Sequence, residues 1–244
     1  MGAIPSKPAE PPLTEHNVDD RSGKVFIITG ATSGIGFELA SILYAKNATV
    51  YIFARSKSKI LDTISKLRST YPGATGRLES IIVDFNDLAT IKPATEEFLA
   101  KENSLDVLWN NAGIMIRPKG SKTEQGYEAQ LGVNALAQFL SAKLLTPRLV
   151  ETAKQSPKGS VRIVWVSSSA AANFAPDGGV DMSKLTAPAN GEYSQWQHYG
   201  ISKAAAILQS HEYSRQYTSS KGISSIALDP GNLDTGLYQN MPKW

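Results

Sequence analysis

The sequence predicts an α/β protein built on a doubly wound parallel sheet in a single domain. Three observations point there: a glycine-rich turn set between an apolar run and a helical pattern, a repeated alternation of short apolar runs with helix-spaced segments, and small polar residues where the predicted strands end. The turn, Thr29–Gly36, reads T-G-A-T-S-G-I-G. Lys24-Val25-Phe26-Ile27-Ile28 leads into it, and Ile35, Leu39, Ile42 and Leu43 leave it at helical spacing. Strand, turn and helix in that order form a phosphate cradle. Glycine lets the backbone turn tightly, and the first N–H groups and positive dipole end of the helix hold an anion.

The chain has 244 residues, enough for one sizeable α/β domain. Residues 23–244 are read as that domain and residues 1–22, with Pro5, Pro8, Pro11 and Pro12, as a flexible arm. Met1-Gly2-Ala3-Ile4-Pro5-Ser6 fits the myristoylation pattern at Gly2, which would anchor only weakly. Against 22 acidic residues stand 25 basic ones, with no block of like charge, so neither nucleic acid nor an anionic membrane is indicated as a partner. There is no cysteine, which excludes disulfides and thiolate metal sites and fits a reducing, cytoplasmic setting. His16, His198 and His211 are too scattered to suggest a metal, and no run has the length of a membrane span.

Ala48–Phe53 reads as the second strand, ending in Ala54-Arg55-Ser56. An acidic residue at that point would suit a free ribose 2′-OH; Arg55 suits a 2′-phosphate, and so favours NADP(H) over NAD(H). Ile60–Tyr71 is a helix stopped by Pro72-Gly73, Leu78–Val83 a third strand closed by Asp84, and Leu88–Ala100 a helix. Leu105–Trp109 is a fourth strand running into Asn110-Asn111-Ala112-Gly113. A long helical stretch, about 125–153, follows, with a break expected near Pro147 and Asn134 in its interior. Val161–Val166 is a fifth strand ending in Ser167-Ser168-Ser169. After an insertion, Tyr199-Gly200-Ile201-Ser202-Lys203 opens another helix, and Ile223–Leu228 is a sixth strand before Pro230-Gly231.

Tyr199 and Lys203 are four apart and share a helix face. A tyrosine, with its pKa of about 10, works near neutral pH only if its phenolate is stabilised, and a nearby ammonium supplies that. The ordered set — glycine turn, Asn-Asn-Ala-Gly, helix Asn, strand-end serines, Y-x-x-x-K, Pro-Gly — resembles the short-chain dehydrogenase/reductase family from about Lys24 to Thr235.

That resemblance implies a Rossmann fold and a nicotinamide cofactor. It assigns Thr29, Gly30, Ser33, Gly34, Ile35 and Gly36 to the cofactor turn, Asp84 to the adenine, and Asn111 and Gly113 to the cofactor lining. Tyr199 becomes the general acid/base, and Lys203 the residue that binds ribose and lowers the tyrosine pKa. Asn134 holds a relay water, Ser168 (with Ser167 as the fallback) binds the substrate oxygen, and Pro230, Gly231 and Thr235 cover the nicotinamide. The expected reaction is hydride transfer between NADP(H) and the carbonyl or secondary alcohol of a hydrophobic small molecule, in a homodimer.

Two departures from the family pattern stand out. The 31-residue step from Ser168 to Tyr199 resembles retinol-dehydrogenase-like and WW-domain-oxidoreductase-like branches, and its Phe174, Met182, Leu185 and Trp196 are candidates for an apolar wall. The chain also stops at Trp244, so the usual C-terminal helix and seventh strand are expected to be missing. An alternative reading is therefore a truncated cofactor-binding protein with weak or no catalysis. A sugar-nucleotide epimerase, which also uses Y-x-x-x-K, fits less well, because its G-x-x-G-x-x-G turn and substrate domain are not seen.

Overall fold

The computed structural model describes residues 14–184, 191, 193–233 and 235–237. Six parallel strands form one sheet: β1 Val25–Thr29, β2 Thr49–Ala54, β3 Arg77–Ile82, β4 Val107–Asn110, β5 Arg162–Val166 and β6 Ser224–Leu228. Their order across the sheet is β3-β2-β1-β4-β5-β6. β1 is central, with Ile27 opposite Tyr51 of β2 on one side and Leu108 of β4 on the other. Its five residues are all buried, as expected of a strand covered on both faces.

Two helical layers cover the sheet. On one face, α1 (Gly34–Ala45) and α2 (Lys57–Thr70) pack on Phe26, Ile28, Val50 and Ile52. α2 buries Ile60, Ile64 and Leu67 in a single stripe, and Ser56 caps it. On the other face lie α3 (Ile91–Lys101), a short α4 (Ala129–Leu131), α5 (Ala137–Lys154), another short helix α6 (Ala170–Phe174) and the long α7 (Gln195–Lys221). Trp165 of β5 is buried there against Tyr213 of α7. Each fully buried Ile, Leu or Phe in these layers contributes about 1.5–3 kcal/mol.

Three features differ from the sequence reading. α5 runs unbroken through Pro147. The proline lies on an exposed face, as does Lys143, whose carbonyl it deprives of a helical donor on the solvent side, where the loss costs least and the helix continues. α7 starts at Gln195, ahead of Tyr199, because Ser194 and Gln197 form a reciprocal capping box there. Gly132–Leu136, between α4 and α5, is a π-helical turn, and Asn134 sits in it.

Of the arm expected over residues 1–22, residues 1–13 lie outside the described residues, as does Gly2 with its acylation pattern. Nearer the domain, Arg21 N–H donates to the Lys46 carbonyl (2.6 Å) and Asn47 Nδ2 to Asp20 (2.7 Å), which ties the chain down ahead of β1.

Candidate active site

The candidate site lies along the carboxyl ends of β1, β4 and β5. Gly30 and Gly34 have φ of +71° and +53°, the left-handed region that glycine enters at no steric cost. At Gly36 there is no room for a side chain: a Cβ would stand 2.6 Å from Asn111 Nδ2 and from the Gly30 carbonyl oxygen. The turn therefore packs directly against the loop after β4. Ser33 precedes α1 without a side-chain cap, and no acid occupies the first helical turn. The first N–H groups of α1 thus keep their capacity for an external anion, which is what a pyrophosphate requires.

Thr29 fastens the turn to β4. Its Oγ1 accepts from the N–H groups of Asn111 (2.9 Å) and Ala112 (2.8 Å), and Asn111 Nδ2 donates to the Thr29 carbonyl (2.8 Å). Thr235 closes on the cradle from the far end of the chain; a Cβ on Gly34 would lie 3.3 Å from its Cβ and Cγ2. Pro230 and Gly231 follow β6 nearby, where Asp229 accepts from Gly231 N–H (3.0 Å) and from Ser169 N–H (2.9 Å). Arg55 stands at the end of β2 with its side chain 77% exposed, 4.0 Å from the carboxylate of Asp84 at the end of β3. Beside the turn, a cavity of about 520 Å³ runs between α1 and α2, lined by Thr32, Ser33, Gly34, Phe37, Lys59 and Lys66 among others. Tyr199 is not part of it.

Tyr199 and Lys203 sit in α7, both buried. Lys203 Nζ lies 5.6 Å from the Tyr199 ring centroid and donates to the Val166 carbonyl at the end of β5 (2.8 Å). Burial pushes its pKa down to about 8, with Asp229 pulling the other way. Gly113 allows the approach of β4's loop, for a Cβ there would be 3.2 Å from Asn134 Oδ1 and 3.6 Å from Lys203 Nζ. Asn134 Oδ1 accepts from Ile114 N–H (2.8 Å), while its Nδ2 donates to the Ile114 carbonyl (2.9 Å) and to Ser202 Oγ (2.9 Å). Ser202 Oγ in turn donates to the Tyr199 carbonyl (2.7 Å).

The serines after β5 separate by environment. Ser167 is buried and its Oγ donates to the Lys203 carbonyl (2.8 Å). Ser168 is half-buried, and its Oγ accepts from Ala170 N–H (3.2 Å), which leaves the hydroxyl proton to be donated elsewhere. Ala170 and Met115 pack with Tyr199, bordered by Ile116 and Leu237. Of the apolar residues in the insertion, Phe174 and Trp196 pack together with ring centroids 5.2 Å apart, and Met182 is exposed. Leu185 lies outside the described residues.

Three residues escaped the sequence reading. Gln130 and Gln138, both 1% exposed, flank Asn134 at intervals of four, and Ser202 bridges it to α7. A detectable signal existed: Q-x-x-x-N-x-x-x-Q among apolar neighbours puts three amides on one helical face, and buried amides need partners. Among the described residues no group of three His, Asp or Glu could hold a metal, and no helix is long and apolar enough to cross a membrane.

A parallel sheet with a glycine cradle after its first strand is the architecture of a dinucleotide-binding protein, and a buried Tyr-Lys pair and a helix Asn lie on the loop and helix next to that cradle. Comparison with known proteins agrees. Residues 24–180 match the short chain dehydrogenase family, and the chain belongs to it. It is 50% identical over 232 residues to the short-chain dehydrogenase/reductase pkfC of Emericella nidulans, covering 95% of this chain and 73% of that protein. A relative in Phomopsis amygdali, also a short-chain dehydrogenase/reductase, is 46% identical, with 94% and 68% covered. Among solved structures, an uncharacterised protein from Mycobacterium paratuberculosis superposes with a TM-score of 0.72 at 29% identity, covering 93% of this chain and 75% of the other. As a member of this family the chain is an oxidoreductase that uses NAD(H) or NADP(H). The match is to the family as a whole and assigns no branch within it.

Proposed function

We propose that the protein moves a hydride between NADP(H) and the carbonyl or secondary alcohol of a hydrophobic small molecule. The observation that carries this reading is the meeting of Tyr199, Lys203 and Asn134 beside the glycine cradle, with the half-buried Ser168 at the neighbouring strand end. A reduced nicotinamide supplies the hydride when bound. The turn from Thr29 to Gly36, with Asn111, Gly113, Pro230, Gly231 and Thr235, would hold it, Arg55 would pair with the 2′-phosphate and Asp84 would serve the adenine.

In the reducing direction, negative charge grows on the carbonyl oxygen. Ser168 donates a hydrogen bond to that oxygen, and Tyr199 donates the proton. Lys203, positive and largely desolvated, favours the phenolate left behind. Both amide hydrogens of Asn134 are committed, so a relay water would be held by the spare acceptor capacity of the residue. Met115, Ile116 and the Phe174–Trp196 pair support an apolar substrate.

Tyr199→Phe removes one oxygen and little volume. It should lower kcat for ketone reduction by at least about 10²-fold, the scale of a lost general acid, while NADPH affinity stays within a factor of about two. Undiminished turnover in that variant would remove the tyrosine from the mechanism.

A further inference from the structure

The loop after β4 is gripped along its length by one helical face. Gln138 Nε2 donates to the Ala112 carbonyl (3.0 Å), Asn134 bonds Ile114 on both backbone groups, and Gln130 Oε1 accepts from Ile116 N–H (2.8 Å). The spacing explains why this works. Every fourth side chain of the segment through the π-turn meets every second residue of the loop, so the three amides step along it in register.

The last rung has a second anchor. Gln130 Nε2 donates to the Gln195 carbonyl (3.0 Å), and Gln195 Nε2 donates to the Arg117 carbonyl (2.6 Å). Loop, α4 and the first turn of α7 are thereby latched together. At the centre of the latch Ile116 has a φ of +49°, a left-handed conformation that a β-branched residue rarely takes. Strain of this kind persists where surrounding bonds over-determine it, and it collects at functional sites. Here it turns Met115 and Ile116 onto the Tyr199 and Ala170 cluster.

We propose that Gln130, acting with Gln195, is a positioning residue that holds Ile116 in its strained conformation and so seats the Met115–Ile116 wall against which the substrate packs beside Tyr199. The proposal rests on the carbonyl-reduction reading above. It assigns to these two amides a share in substrate recognition without contact to the reacting atoms.

The test uses Gln130→Met, which keeps the shape and loses the bonds, and Gln195→Ala, which opens the latch from the partly exposed side. Hydrogen exchange of residues 113–117 should speed up at least about tenfold in both, with NADPH affinity within about twofold of the unaltered chain. With acetophenone and 2-decanone as probes, kcat/KM should fall about tenfold, mainly through KM. Unchanged exchange in Gln195→Ala, or faster exchange with kcat and KM unmoved, would overturn the proposal. No turnover of either ketone by the unaltered chain would overturn the carbonyl-reduction reading together with it; turnover by the unaltered chain that the variants leave unchanged overturns this inference alone.

Discussion

Lys203 is where burial and charge meet most directly. Its ammonium is desolvated and its pKa held near 8, below the ordinary 10.5. Between those values the unfolded chain binds the proton and the folded chain does not, so stability should rise with pH across that window; below about pH 8 the full penalty is present. The difference amounts to about 3 kcal/mol. Lys203→Met should remove that slope, as measured by chemical denaturation from pH 7 to 11. An identical slope in both chains would mean the ammonium is not desolvated. The serine run shows what sequence reading resolves at this scale. Ser168 and Ser167 are chemically alike and adjacent, so the pattern ranks them only by resemblance. Burial separates them physically, since Ser167 spends its hydroxyl on the Lys203 backbone. The spacing of Gln130, Asn134 and Gln138 signals three buried amides, but their partners are backbone groups of a loop, so the sequence pattern does not say what they hold.

Elements were read well wherever the hydrophobic period was strong. All six strands lie within two residues of their expected bounds, because buried parallel strands are short apolar runs with polar ends. The helix carrying Asn134 was harder. A π-turn has no periodicity of its own, and Pro147 signals a break only if its freed carbonyl partner is buried. α6 and α7 meet so closely that the contact is itself a constraint. A Cβ on Gly200 would stand 2.7 Å from the Ala170 carbonyl and 2.8 Å from Ala175 N. Gly200→Ala should therefore destabilise the fold by about 1–3 kcal/mol, although alanine is the better helix former. Urea denaturation measures this, and a loss smaller than about 0.5 kcal/mol would show that α6 yields freely.

For the whole molecule, the glycine cradle, the Tyr-Lys helix and the Thr235 segment come from distant parts of the chain, and only the sheet order brings them together. A bound cofactor should accordingly stabilise the entire domain. At a hundred times Kd, NADPH should add about 2.7 kcal/mol and raise Tm by about 5–10 °C. NADH at the same concentration should do less. Arg55→Asp should reverse that order, and an unchanged ratio of the two shifts would sink the assignment of Arg55 to the 2′-phosphate.

The strand order has a consequence for synthesis. As the chain leaves the ribosome, β2 adds beside β1 and β3 beside β2; β4 then takes the free side of β1, β5 joins β4, and β6 joins β5. Each newcomer docks on an open edge, and none has to be inserted between strands already paired. The phosphate cradle thus emerges while only β1 is available, whereas Tyr199, the proton donor in the proposed reaction, follows only after β5.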